Sequence, residues 1–161
     1  MSRVAIVTGA GTGVGKATAV KLSDVGYTVI LIGRRQDKLE ETKKACNAQS
    51  VVLPMDVSIE TDVKKCFEMV QNTFSRIDLL FNNAGAFLSS KTIDKIHFDE
   101  WKEVIEVNLN GLFLFSKYAF ALMKNQSPKG GRIINNGSVT SITPRPVSIA
   151  YTATKHAVTG M

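Results

Sequence analysis

A tyrosine and a lysine stand four positions apart in the stretch SIAYTATKHAVTGM (148–161) of this 161-residue sequence. On a helix, Tyr151 and Lys155 would share one face, because side chains at positions i and i+4 are neighbours. An ammonium favours a phenolate over a phenol, so a tyrosine beside a lysine can exchange a proton at a pH well below its ordinary pKa of about 10. A lone Tyr-x-x-x-Lys is also a common surface pair. The pair therefore predicts proton-transfer chemistry only if other groups stand with it.

Short apolar runs alternate with stretches of helical spacing along the whole chain. Runs rich in β-branched residues are typical of strands buried on both faces of a parallel sheet. They lie at 4–8, 28–32, 51–54, 78–82 and 132–135. The alternation predicts one α/β domain over residues 1–161, with a Rossmann-type doubly wound parallel sheet. Ligands of such sheets bind at the carboxyl ends of the strands, so the residues after each strand are the candidates for a site.

Two helices can be placed between these strands. One is indicated by apolar residues that step by four, three and four positions along one face: Val63, Phe67, Val70 and Phe74. A longer helix is predicted from Asp99, as its N-cap, to about Met123.

A glycine-rich loop follows the first strand and opens a helix. The strict G-x-G-x-x-G pattern does not fit, but T-G-x-x-x-G-x-G does, on Thr8, Gly9, Gly13 and Gly15. Glycines permit a tight turn and close approach of a phosphate, and the helix N-terminus offers unpaired N–H groups to an anion. The alternative is a glycine-rich turn without a ligand. The position after strand one favours the phosphate site.

Two arginines follow the second strand, in LIGRRQDKL. A site for NAD usually has Asp or Glu near this point to bond the ribose hydroxyls, whereas here Gly33 is followed by Arg34 and Arg35. Guanidinium groups suit a 2′-phosphate, so the sequence predicts NADP(H) in preference to NAD. The alternative is a pair of solvated arginines at a helix start. Asp56 and Val57, after the third strand, are candidates for holding an adenine edge.

Four further motifs follow in order: NNAG (82–85), NLNG (108–111), NGSVTS (136–141) and YTATK (151–155). With TGAGTGVG (8–15) at the front, their order and spacing resemble the short-chain dehydrogenase/reductase family over essentially the whole chain. The resemblance implies an oxidoreductase that transfers a hydride between NADP(H) and a carbonyl or secondary alcohol. One departure lies within the motifs, where NGS stands in place of the paired serines of many members.

The resemblance also implies roles for particular residues. The implied catalytic residues are Asn108, Ser138, Tyr151 and Lys155. The expected cofactor-binding residues are Gly9, Thr12, Gly13, Val14, Gly15, Arg34, Arg35, Asp56, Val57, Asn83, Ala84, Gly85, Tyr151 and Lys155. Oxygen gains negative charge when a ketone accepts hydride, and it needs a proton. Tyr151 could supply that proton, Ser138 could hold the oxygen, and Asn108 could hold a water that returns protons to Lys155.

Composition excludes other classes of function. The formal charge of +6 is spread without a basic tract, so a nucleic-acid interface is not predicted. No apolar run is long enough to cross a membrane and none resembles a signal peptide, which makes a cytoplasmic protein the expectation. Cys46 and Cys66 lack metal-ligand spacing and are expected to be reduced thiols, with no metal site. His97 and His156 are expected to be structural or exposed.

Members of the resembled family continue well beyond the position of Lys155. We therefore expect this sequence to lack the C-terminal strands and substrate loop, and to leave its fifth strand as an open edge. The alternative function is a nucleotide-binding domain without catalysis, or an inactive fragment. Homo-oligomers are expected of the full-length protein. The expected substrate-lining residues are Phe87, Leu88, Asn136 and 141–147, a partly apolar set whose one fixed charge is Arg145.

Overall fold

The computed structural model describes residues 3–88 and 90–161, and a sheet of five parallel strands forms its centre. The strands are β1 (Arg3–Thr8), β2 (Tyr27–Gly33), β3 (Ser50–Pro54), β4 (Leu79–Asn82) and β5 (Arg132–Asn135). Their order across the sheet is β3-β2-β1-β4-β5. Each predicted strand is confirmed, with bounds that agree to within one residue.

Helices cover both faces of this sheet. They are α1 (Gly13–Asp24), α2 (Gln36–Lys44), α3 (Glu60–Phe74), α4 (Phe98–Ile105), α5 (Gly111–Asn125) and α6 (Ile149–Gly160). Residues of α3 and α5 pack with Ile6, Ile30 and Leu80 in one buried cluster. Residues of α1 and α2 pack with Val7 and Leu31 in a second cluster on the opposite face. The predicted doubly wound α/β sheet is confirmed, and this burial explains why its central strands are continuous apolar runs.

The apolar stripe of α3 faces the core as predicted. Val63, Phe67 and Val70 are buried, and Phe74 is partly buried against the same cluster. The Phe67 ring meets the Phe115 ring of α5 edge-on, with centroids 5.7 Å apart.

The long helix predicted from Asp99 is instead two helices, α4 and α5, joined by a π-helical turn at Glu106–Asn110. The predicted N-cap is wrong. His97 has the extended backbone of an N-cap, and its N–H donates to the Glu100 carboxylate at 3.0 Å. Since this local bond places the N-cap two residues before Asp99, the Asp99 carboxylate lies in the first turn of α4, near the positive end of the helix dipole.

The chain reverses its winding at β1, which has β2 on one side and β4 on the other. Connections leave toward opposite faces there, so a crevice opens outside the carboxyl ends of these strands. In the described part of the chain β5 pairs with β4 alone, which leaves the expected open edge, and Ile134 on it is 40% exposed. No helix of the described residues has the length and apolar character needed to cross a membrane.

Candidate active site

The glycine-rich loop joins β1 to α1 beside the crevice. Gly9 and Gly13 have φ values of +65° and +55°, a region that side chains rarely occupy. A Cβ on Gly15 would lie only 2.2 Å from the carbonyl oxygen of Gly9, so close packing of α1 on the loop requires glycine there. Around Gly13 an added Cβ would meet no atom within 4 Å, which leaves open space where the loop faces outward.

A cavity of about 250 Å³ lies in front of this loop. Nine of the predicted cofactor-binding residues line it: Gly9, Thr12, Arg34, Arg35, Asp56, Val57, Asn83, Ala84 and Gly85. Gly13, Val14 and Gly15 form the first turn of α1 next to it. The structure therefore brings together residues from four separate strand ends, as the prediction of a site at the carboxyl edge requires.

Cationic side chains gather at one end of the cavity. Arg34 Nη1 lies 4.0 Å from the Asp56 carboxylate and 4.0 Å from the Glu103 carboxylate, and its side chain is 65% exposed. Arg35 donates to the Thr12 hydroxyl at 3.4 Å. Lys38, which was not predicted, also lines the cavity. These cations supply the positive charge that an anionic ligand would need.

Asp56 is held as a carboxylate at the cavity rim. Burial by itself raises the pKa of Asp56, but two bonds from Ser58 and the nearby Arg34 guanidinium outweigh burial and leave that pKa below its usual range. The Ser58 hydroxyl donates at 2.6 Å and its backbone N–H at 2.9 Å to the same oxygen. The second carboxylate oxygen remains for Arg34 or a ligand.

Thr8 fastens the loop after β4 to the end of β1. Its hydroxyl accepts from the backbone N–H groups of Asn83, at 2.9 Å, and Ala84, at 3.0 Å. The Asn83 amide donates in return to the Thr8 carbonyl at 3.1 Å. All three bonds join positions about 75 residues apart, so the end of β1 and the loop after β4 are held at a fixed separation.

Ser138 lies just after β5, where it begins a short 3₁₀ turn, Val139–Ser141. Its Oγ accepts from the Thr140 backbone N–H at 3.2 Å and from the Thr140 hydroxyl at 2.9 Å. Both of those contacts use oxygen lone pairs, so the hydroxyl hydrogen of Ser138 stays available for donation.

Tyr151 and Lys155 occupy successive turns of α6, as their spacing predicts. The Lys155 ammonium lies 5.6 Å from the centroid of the Tyr151 ring. On another side, the ring meets Phe87 edge-on, with centroids 5.4 Å apart. Tyr151 also borders a small hollow with Phe87, Leu88 and Val147, three residues of the expected substrate side.

Lys155 is an unusual lysine because only 6% of it is exposed. Its ammonium donates to the Asn136 carbonyl at 2.7 Å. Burial lowers the pKa of Lys155 below its ordinary value, because the charged form loses solvation. The Asn136 amide in turn donates to Asn83 Oδ1 at 2.9 Å. A chain of bonds thus connects Lys155 to the loop that lines the cavity.

Asn108 lies in the π-helical turn and is buried. Its amide makes a two-way contact with Ala86, accepting from the N–H at 2.7 Å and donating to the carbonyl at 3.0 Å. It also donates to the Thr154 hydroxyl at 3.2 Å. The side chain therefore ties three elements together and is occupied by protein. π-Helical turns are rare and often mark functional sites.

Three contributors were missed by sequence reasoning. The glycine motif identifies Thr8, but nothing in the sequence indicates that its hydroxyl bonds the loop after β4. Lys38 has no sequence signal, because it resembles any exposed lysine on a helix. Asn136 was expected to line the substrate side, and its bond to Lys155 through the backbone carbonyl was not predicted. The histidines agree with expectation, since His97 caps α4 and the exposed His156 ring contacts the Thr152 carbonyl at 2.9 Å.

A doubly wound parallel sheet with a glycine-rich first βα turn at the crevice defines a Rossmann-type domain. A family model described as short chain dehydrogenase matches residues 3–161, and this chain belongs to that family.

Individual relatives agree with this assignment. An uncharacterized oxidoreductase of Staphylococcus aureus is 40% identical over 157 residues, covering 97% of this chain and 67% of the relative. A 3beta-hydroxysteroid dehydrogenase of Mediterraneibacter gnavus is 33% identical, covering 99% of this chain and 58% of the relative. The crystal structure of a short chain dehydrogenase from Bacillus anthracis has a TM-score of 0.93 at 31% identity, covering 99% of this chain and 66% of that one. The chain thus spans roughly three-fifths to two-thirds of the length of these relatives.

Proposed function

We propose that this chain is the cofactor-binding and catalytic part of an oxidoreductase that transfers a hydride between NADP(H) and a carbonyl or secondary alcohol, with Tyr151 as the acid–base. The observation that carries the proposal is the buried Lys155 ammonium, 5.6 Å from the Tyr151 ring. A buried charge bonded only to a carbonyl among the described residues is costly for folding, and such groups are typical of active sites.

The side chains divide the chemistry among them. The nicotinamide, when bound, supplies or accepts the hydride. Ser138 donates its free hydrogen to the substrate oxygen, and Tyr151 transfers the proton. Lys155 favours the phenolate form of the tyrosine by its charge. Asn108 positions the loop that contains Ala86 against α6, because its side-chain amide is hydrogen-bonded to Ala86 and to Thr154 of α6. Any water in a proton relay would then rest on other atoms of the π-helical turn.

Turnover on a panel of ketones and aldehydes tests this function directly. We expect oxidation of NADPH that requires both the carbonyl compound and the protein. The loss of absorbance of the reduced nicotinamide measures this reaction. A chain that binds the cofactor but reduces no member of the panel would support the alternative, a nucleotide-binding domain without catalysis.

The preference for NADP(H) is supported by the cations at the cavity end. Arg34 and Arg35 line it, and a guanidinium pairs well with the 2′-phosphate that distinguishes the two cofactors. Gly33 at the end of β2 offers no carboxylate to ribose hydroxyls. The open space at Gly13 and the N-terminus of α1 suit the central pyrophosphate.

Arg34→Gln is expected to raise the Kd for NADPH about tenfold or more, because charge-assisted bonds to phosphate contribute about 1.5–3 kcal/mol. The Kd for NADH should change much less, since NADH lacks that phosphate. Titration of cofactor fluorescence measures both constants. Arg132→Gln, at the opposite end of the sheet, is the control for loss of one charge. Tighter binding of NADH than of NADPH by the unaltered chain would contradict the preference.

We further propose that the protein forms a homo-oligomer through α5. Phe113 and Phe120 lie two turns apart on this helix and are 52% and 63% exposed. Exposed aromatic residues on one helix face are typical of protein interfaces. Light scattering should give at least twice the mass of one chain, and the mass of a single chain at high concentration would contradict this.

A further inference from the structure

Arg145 stands beside the aromatic wall of the candidate active site. Its guanidinium carbon lies 5.7 Å from the centroid of Phe87, and the Phe87 ring meets Tyr151 edge-on. The positive charge is therefore held one aromatic ring away from the proposed acid–base. The Phe87 ring offers no lone pair to the guanidinium, and no protein acceptor bonds it among the described residues, so its N–H donors are available for a ligand.

Arg145 has no acidic partner within the part of the chain that the structure describes. Across residues 3–88 and 90–161, no carboxylate oxygen lies within 4.0 Å of its guanidinium nitrogens. Other cations on this side of the chain are engaged. Lys91 pairs with Glu100 at 2.6 Å, and Lys155 bonds the Asn136 carbonyl. Arg145 is thus a cation of the expected substrate side that is available to an anion.

The backbone that presents Arg145 has little freedom. Prolines at 144 and 146 restrict φ on both sides of it. Val147 has a φ of +52°, a conformation that β-branched residues adopt only when their surroundings impose it. The Ser148 hydroxyl donates to the Arg145 carbonyl at 2.9 Å. A guanidinium on such a segment needs little ordering when a ligand binds, which favours recognition.

We propose that Arg145 binds an anionic group of the substrate, so that the substrate class is a carbonyl compound, or the corresponding alcohol, that carries a carboxylate. The planar fork of a guanidinium matches a carboxylate with two parallel bonds. Since the Phe87 ring lies between the Arg145 charge and Tyr151, the substrate needs an apolar body, about one ring wide, that separates its two groups. This inference rests on the proposed function, since it concerns the substrate of that same site.

The test compares 4-acetylbenzoate with its neutral isostere 4-acetylbenzamide. In the acid, one ring separates the ketone from the carboxylate. For the unaltered protein we expect kcat/KM to favour the acid. In Arg145→Gln the ratio of acid to amide should fall about tenfold, the size expected for a partly exposed charge-assisted pair. Arg145→Lys should keep part of the preference, because it keeps the charge and loses the fork. Arg132→Gln, with the same charge loss at the far end of the sheet, should keep the full ratio.

Ligand-observed NMR of both probes with NADP⁺ present gives a second readout that does not need turnover. If the protein reduces the amide but shows no preference for the acid, the inference is overturned while the proposed function stands. The same holds if the ratio survives in Arg145→Gln or falls equally in Arg132→Gln. If neither probe nor any member of the carbonyl panel is reduced but acid binding is weakened by Arg145→Gln alone, the anion site is supported and the proposed function fails. Absence of acid binding in both measurements overturns the inference.

Discussion

Tyr151→Phe is expected to lower kcat by about three orders of magnitude, within the range measured for loss of a general acid–base. The Kd for NADPH should stay within about twofold of its original value, since the ring remains and only the hydroxyl is lost. The edge contact with Phe87 needs the ring alone, so the wall of the site is preserved. Steady-state kinetics and cofactor titration, on a preparation that reduces a carbonyl with NADPH, measure the two effects.

Tyr118→Phe is the matched control for this change. Its hydroxyl donates to Glu60 at 3.1 Å, and neither residue lines the cavity in front of the glycine-rich loop. Its kcat should equal that of the unaltered protein. Near-normal turnover by Tyr151→Phe would show that another group transfers the proton, and a parallel loss of cofactor binding would point to a structural effect.

Lys155→Met is expected to abolish turnover and weaken cofactor binding, but also to make the free protein more stable. The ammonium is buried, and methionine fills a similar volume without a charge. Relief of about 1 kcal/mol of desolvation cost would raise Tm by roughly 2–4 °C in a chain of this size. Kinetics, cofactor titration and a thermal melt of the cofactor-free protein measure the three effects.

The pH dependence of stability provides a second test of the destabilising effect of the buried Lys155 charge. Burial lowers the pKa of Lys155 in the folded state below the ordinary 10.5 expected when unfolded. Between those two values the unfolded state holds more protons, so stability rises with pH. Below the pKa of Lys155 in the folded state, the lysine is protonated in both states, and the full free-energy cost of burying its charge remains. Lys155→Met should remove this rise at alkaline pH, whereas Lys44→Met, at an exposed position of α2, should keep it. A lower Tm for Lys155→Met would mean that its bond to Asn136 outweighs burial.

Much of the fold and cavity could be predicted because the signals are local. Five apolar runs identified the strands, and the signal is strongest for the central strands β1, β2 and β4, where burial on both faces leaves little room for polar side chains. The glycines of the first loop were recognised because backbone conformation and close packing exclude other residues at Gly9 and Gly15. The error at Asp99 was also local. His97, three residues before Glu100, is the N-cap in place of Asp99. Sequence patterns define helix ends only to within one or two residues.

By itself, the sequence determined the order of strands and helices and the residue types gathered at the strand ends. Only the tertiary structure decided which of those residues touch. It joined the Asn136 side chain to Asn83 and the Asn136 carbonyl to Lys155. It also placed Arg145 over the Phe87 ring, which contacts Tyr151. The physical reason is range. Periodicity reports interactions between near neighbours, whereas contacts between loops about 50–60 residues apart depend on the sheet register that brings the strand ends to one edge.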